Sequence, residues 1–114
     1  MTKLIFFFGC VSLLAFSSCK KGSNTNNITP VCDGSSPTYD ANVETIISGS
    51  CIGCHGFGSS NGDMSTYAAL SQYTANGSFE KEVLTNQSMP TSGPLAESQL
   101  NLIKCWVENG FPEN

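Results

Sequence analysis

The chain has 114 residues, enough for one small domain and no more. Five lysines and no arginine stand against nine carboxylates, a formal net charge of −4. Binding a phosphate backbone needs clustered Lys and Arg, so this balance argues against a nucleic-acid partner.

Residues 1–18 read as an export signal. Lys3 gives a positive start, and Leu4 to Phe8 with Val11 to Phe16 form an apolar stretch too short for a membrane span. Ser17 and Ser18 then lead to Cys19. Ala15-Phe16-Ser17-Ser18-Cys19 is similar to a bacterial lipobox, with Phe16 where the commonest pattern has Leu, and implies acylation of Cys19 after cleavage. Ordinary cleavage near Ser18, leaving Cys19 unmodified, is the alternative. Residues 19–36 are expected to form a lipid-anchored flexible tether, because Lys20 to Pro30 is polar with almost nothing to bury.

Residues 37–114 carry the helical patterns. Pro37 to about Ser48 is a helix with Ser36 or Thr38 as cap; Tyr39, Val43, Ile46 and Ile47 share a face, and Gly49 ends the run. Gly56 to Gly62 is a glycine-rich loop. A helix from about Thr66 to Thr74 follows, capped by Asp63 or Ser65, with Tyr67, Leu70 and Tyr73 inward. Ser78 caps a short helix from Phe79 to about Thr85. The last helix runs from about Glu97 to Asn109, with Leu100, Ile103, Trp106 and Val107 on one face and Leu102 flanking; Gly110 and Pro112 stop it. With no period-2 pattern, the fold class is small and all-α.

Between the first two helices stands Cys51-Ile52-Gly53-Cys54-His55, the C-x-x-C-H spacing of c-type haem attachment. Two thiols one helical turn apart can reach the two vinyl groups of one haem, and the adjacent imidazole points at the iron. His55 is the only histidine in the chain, so no second imidazole competes for the iron. The same residues could instead hold zinc with Cys32 or Cys105, serve as a dithiol redox site, or form a structural disulfide. Zinc prefers two separated ligand pairs, and a redox C-x-x-C normally follows a strand. For the sixth iron position the candidate is Met89, in an irregular segment directly before Pro90; a thioether there raises the reduction potential. Met64, the rival, follows too closely on the loop after His55.

Export removes Cys10 with the signal and gives Cys19 to the lipid. With Cys51 and Cys54 on haem, Cys32 and Cys105 remain as a disulfide pair, or as two separate buried thiols.

The export signal, first helix, Cys51-to-His55 motif, Met89-Pro90 and closing helix Leu100-x-x-Ile103-Lys104-x-Trp106-Val107-x-x-Gly110 together resemble a class I mono-haem cytochrome c over residues 39 to 112. The resemblance implies a cytochrome c-like fold around one covalent haem c, with His55 and Met89 on the iron. It also implies Trp106 packed on haem or on the first helix. The Pro that often follows the motif in that family, and the Arg often used near the propionates, are missing here.

The expected function is electron transfer on the periplasmic side of a bacterial membrane, in a respiratory or dehydrogenase pathway. No catalytic acid–base pair or nucleophile triad is visible, so the chain is not expected to be an enzyme. Beyond Cys19, four lysines face nine carboxylates, which favours redox partners with a basic docking patch. The alternatives are a haem-based sensor or peroxidase-like domain with a displaceable Met89, and a non-haem zinc or disulfide lipoprotein.

Overall fold

Thr38 has extended backbone, and its hydroxyl accepts from the N–H of Ala41 at 3.3 Å, starting the first helical stretch. In the computed structural model, which describes residue 19 and residues 27–114, that stretch is a π-helical turn, Tyr39–Val43, running into α1, Glu44–Ser50. The export signal and residues 20–26 of the tether lie outside the described residues. Tyr39, Val43, Ile46 and Ile47 are all buried, as their spacing requires of one helix face. Gly49 does not end the helix. The N–H of Cys51 still bonds the carbonyl of Ile47 at 2.9 Å, and the axis breaks only at Cys51 before α2, Ile52–His55.

Helix α3, Tyr67–Ala75, is capped by Thr66, whose hydroxyl accepts from Ala69 N–H at 3.2 Å. Asp63, one of the two expected caps, instead binds the backbone and hydroxyl of Ser65, at 2.8 and 2.6 Å, in the turn before it. Gly77, at φ +78, reverses the chain into α4, Ser78–Glu80, which continues as a second π-helical turn, Lys81–Thr85. Phe79, Val83 and Leu84 of this stretch are buried. Helix α5, Glu97–Glu108, buries Leu100, Ile103, Cys105 and Trp106, while Leu102 and Val107 are partly covered. No strand occurs among the described residues, so the chain is all-α there.

The two ends of the body close on each other. After Gly110, at φ +81, the tail turns back, and the carbonyls of Pro112 and Glu113 accept from Tyr39 and Asp40 N–H at 2.9 and 3.0 Å. These are donors that the first helical turn leaves unpaired. Trp106, wholly buried, gives its indole N–H to the same Pro112 carbonyl at 2.9 Å. Its ring packs against Tyr39 at 6.4 Å, Phe79 at 6.4 Å and Phe111 at 6.0 Å. Each large apolar side chain buried in this way contributes about 2 to 3 kcal/mol.

The polar segment before residue 37 departs from the tether expected there. Residues 27–35 lie along the body as a strap. Asn27 bonds the Thr85 carbonyl at 3.2 Å, Ile28 pairs with the side chain of Gln87, and Val31 N–H bonds Asn101 at 2.8 Å. The Ser35 carbonyl accepts from Asn109 at 3.0 Å. Cys32 is disulfide-bonded to Cys105 of α5, with Cα atoms 4.7 Å apart. The strap buries little apolar surface beyond Ile28. Hydrogen bonds from distant side chains and one covalent bond hold it.

Candidate functional site

The break at Cys51 makes a one-turn helix of the motif. His55 N–H and Cys54 N–H both bond the carbonyl of Cys51, at 2.9 and 3.1 Å. Residues four apart share a helix face, so Cys51 and His55 point the same way, with Cys54 beside them. The end of α2 leaves its carbonyls without helical donors, and the loop of residues 56–63 supplies them. Ser59 hydroxyl and Asn61 amide donate to the Cys54 carbonyl at 2.6 and 3.4 Å, and Met64 N–H donates to the His55 carbonyl at 2.8 Å.

The same loop orients the imidazole. His55 Nδ1 lies 3.1 Å from the Gly62 carbonyl oxygen. A carbonyl can only accept, so Nδ1 carries the proton, and in the neutral ring the lone pair is on Nε2. Gly62 has φ +97, and a Cβ there would come within 2.6 Å of the Tyr73 hydroxyl. A side chain there would be strained by the left-handed backbone and would have to displace the Tyr73 hydroxyl.

A cavity of about 340 Å³ opens beside the motif. Cys51, Cys54 and His55 line it, and so do Met89 and Pro90 from the irregular segment before α5. Ile47, Phe79, Val83, Leu95 and Ile103 make its apolar floor. Met64 and Tyr73 line it as well. The Met89 segment is held by the second π-helical turn: Ser88 and Met89 N–H bond the Glu82 carbonyl at 2.9 and 3.3 Å, and the Ser88 hydroxyl bonds the Glu82 carboxylate. The described lining contains no lysine; beside His55 and the cysteines its polar members are hydroxyls, the Asn61 amide and Glu82.

No protein-family model, no curated protein and no solved structure matches this chain. The site is therefore read from its own residues.

The sequence assigns Cys19 to a lipid and Cys54 to haem, but in the structure these two sulfurs are bonded to each other, with Cα atoms 5.7 Å apart. A sulfur in that bond carries neither an acylated thioether nor a haem thioether, so both assignments require the bond to open. The cause is proximity: Cys19 lines the same cavity as Cys51 and Cys54. Cys51 remains a free thiol, and burial pushes its pKa up to about 11. Such a thiol is protonated at neutral pH and unlike the low-pKa thiolate of a dithiol redox enzyme.

The zinc alternative finds no support in the geometry. Cys32 and Cys105 bond each other, and among the described residues neither converges with His55. Among the described residues the one convergent set of metal-ligating types is Cys32, Asp33 and Cys105, whose two sulfurs are spent on the disulfide.

Residues important here that the sequence reading did not single out are Gly62, Glu82 and Gln87. Asn61-Gly62 is a turn signal that could have marked the first. Nothing local marks Gln87 or Glu82.

Proposed function

We propose that the chain is an electron-transfer protein holding one covalent haem c, with the cytochrome c-like arrangement its sequence resembles. One observation carries the reading: a single, mostly apolar cavity is lined both by the Cys51–His55 turn and by Met89. The group fits the residues present. Cys51 and Cys54 would hold it through thioethers. His55 offers Nε2 to the iron, because the Gly62 carbonyl holds Nδ1–H. Met89 is preferred over Met64 as the second ligand because Met64 is bonded through its backbone to His55 itself, on the histidine's own side of the site. When bound, the group supplies a one-electron Fe(III)/Fe(II) couple. With His55 and Met89 both holding it, the iron would have no open site for small substrates.

Thioether formation at Cys54 and acylation of Cys19 both require the Cys19–Cys54 bond to open. Two electrons and two protons from an exported dithiol reductant convert it to two thiols. An acylated Cys19 would anchor the protein at the periplasmic side of a membrane, and its acidic surface suits redox partners with a basic docking patch.

The test is one optical spectrum of protein matured with haem-attachment machinery. Sharp α and β bands on reduction and a weak near-infrared Met–Fe(III) band are expected. A five-coordinate high-spin spectrum would favour a sensor or peroxidase-like domain. Absence of a Soret band would overturn the haem reading.

A further inference from the structure

We propose that Gln87 is a positioning residue for Met89, acting by clamping the N-terminal strap to the segment that carries the methionine; the inference rests on the ligand role proposed for Met89. Gln87 is a polar side chain with no exposed surface, and its φ of +48 is left-handed, a region that non-glycine residues rarely adopt. Its amide reads both backbone groups of one residue 59 positions earlier. The oxygen accepts from Ile28 N–H at 3.1 Å, and the nitrogen donates to the Ile28 carbonyl. The nitrogen also lies 3.4 Å from the Leu84 carbonyl.

The left-handed turn has a direct consequence two residues on. Asn86 still closes the π-helical turn, bonding Lys81. Gln87 then redirects the chain, so that Ser88 and Met89 both point their N–H groups back at the Glu82 carbonyl. Met89 thus stands against the cavity because Gln87 holds a strained conformation. That conformation buries an amide, and burying an amide is tolerated only while it is paired. Ile28 of the strap supplies two of its hydrogen bonds, and releasing Ile28 removes both, which favours loss of the turn. Docking of Ile28 on Gln87 and placement of Met89 are therefore one coupled equilibrium, and a force or partner that lifts Ile28 from Gln87 loosens the methionine.

The experiment uses the full chain with haem attached and compares the parent with Gln87→Leu, Ile28→Pro and Asn101→Ala. Leucine keeps bulk and removes the amide. Proline removes the N–H that donates to the Gln87 side chain, together with the isoleucine side chain packed on the core. Asn101→Ala weakens the strap at Val31, away from Met89. Gln87→Leu and Ile28→Pro are each expected to weaken the near-infrared Met–Fe(III) band and to raise imidazole affinity of the ferric protein at least tenfold. Asn101→Ala should leave both within twofold. Parent-like bands and affinities in both clamp variants would overturn the proposal. A second readout needs no haem: amide exchange at Ser88 and Met89 should accelerate at least tenfold in both clamp variants and not in Asn101→Ala. If the parent itself shows no Soret band, the haem reading fails and this exchange measurement alone decides the coupling, with unchanged exchange overturning it.

Discussion

The Nδ1 atom of His55 lies 3.1 Å from the carbonyl oxygen of Gly62, a residue whose missing Cβ would meet the hydroxyl end of Tyr73. The loop thus orients the imidazole through its own backbone. A Gly62→Ala substitution forces a left-handed alanine and sets its Cβ 2.6 Å from the Tyr73 hydroxyl and 3.1 Å from the ring carbon bearing it. The expected cost is about 2 kcal/mol, read as a lower urea midpoint with unchanged slope. Combining it with Tyr73→Phe should recover part of that loss, because the closest atom is gone. No recovery would mean that backbone strain alone sets the cost.

The Cys32–Cys105 bond spans 73 residues and ties the strap to α5. A bridge of that span stabilises by about 4 kcal/mol in the chain-entropy model. The double variant Cys32→Ala, Cys105→Ala should lose stability on that order in equilibrium unfolding. Cys105 is almost wholly buried, so part of the loss will be packing. Reducing protein that carries Cys19→Ala and Cys54→Ala, and so lacks the other disulfide, separates the two: only the entropic part should disappear.

How much of this was legible follows from where the contacts run. The helices were readable because Tyr39, Val43, Ile46 and Ile47 repeat locally, and because α5 carries its own apolar face and a glycine stop. The π-helical turns were not, since a spacing of four fits either helix type. Gly49 reads as a breaker, yet the Ile47–Cys51 bond carries the helix past it. The strap was missed for a different reason. Its sequence is polar, and its partners Gln87, Asn101 and Asn109 lie 59, 70 and 74 residues away from the groups they hold. No window along the chain contains both sides of such a bond. The motif was visible by spacing, whereas the Gly62 carbonyl was not, because a backbone acceptor leaves no mark in side-chain identity.

Two groups predict how stability responds to pH. Asp63 accepts from the Ser65 hydroxyl and backbone N–H, and these bonds hold its carboxyl below its ordinary value. A depressed folded pKa gives stability that is present above the unfolded value, about 4, and lost as pH falls through the folded value. Asp63→Asn should flatten the acid limb of a melting-temperature profile. Cys51 acts with the opposite sign. Burial raises its pKa from 9.0 to about 11, so its contribution is full below pH 9 and lost as pH rises toward 11. In haem-free protein, Cys51→Ala should remove that alkaline loss, while a parent-like alkaline limb would show that other groups cause it.

Met89 and Met64 both line the cavity, so direct substitution must decide between them. Met89→Leu keeps bulk and removes the thioether. In haem-loaded protein it should abolish the near-infrared band, open the iron to imidazole, and lower the reduction potential on the order of 0.1 V, since a thioether favours Fe(II) and axial ligands tune potentials over ~0.8 V. Met64→Leu should leave the band in place and shift the potential far less. The haem-free proteins should be similar in stability, because Leu replaces Met at a cost under about 1.5 kcal/mol. If Met64→Leu, rather than Met89→Leu, removes the band, the ligand assignment reverses, and the clamp at Gln87 loses the role proposed for it.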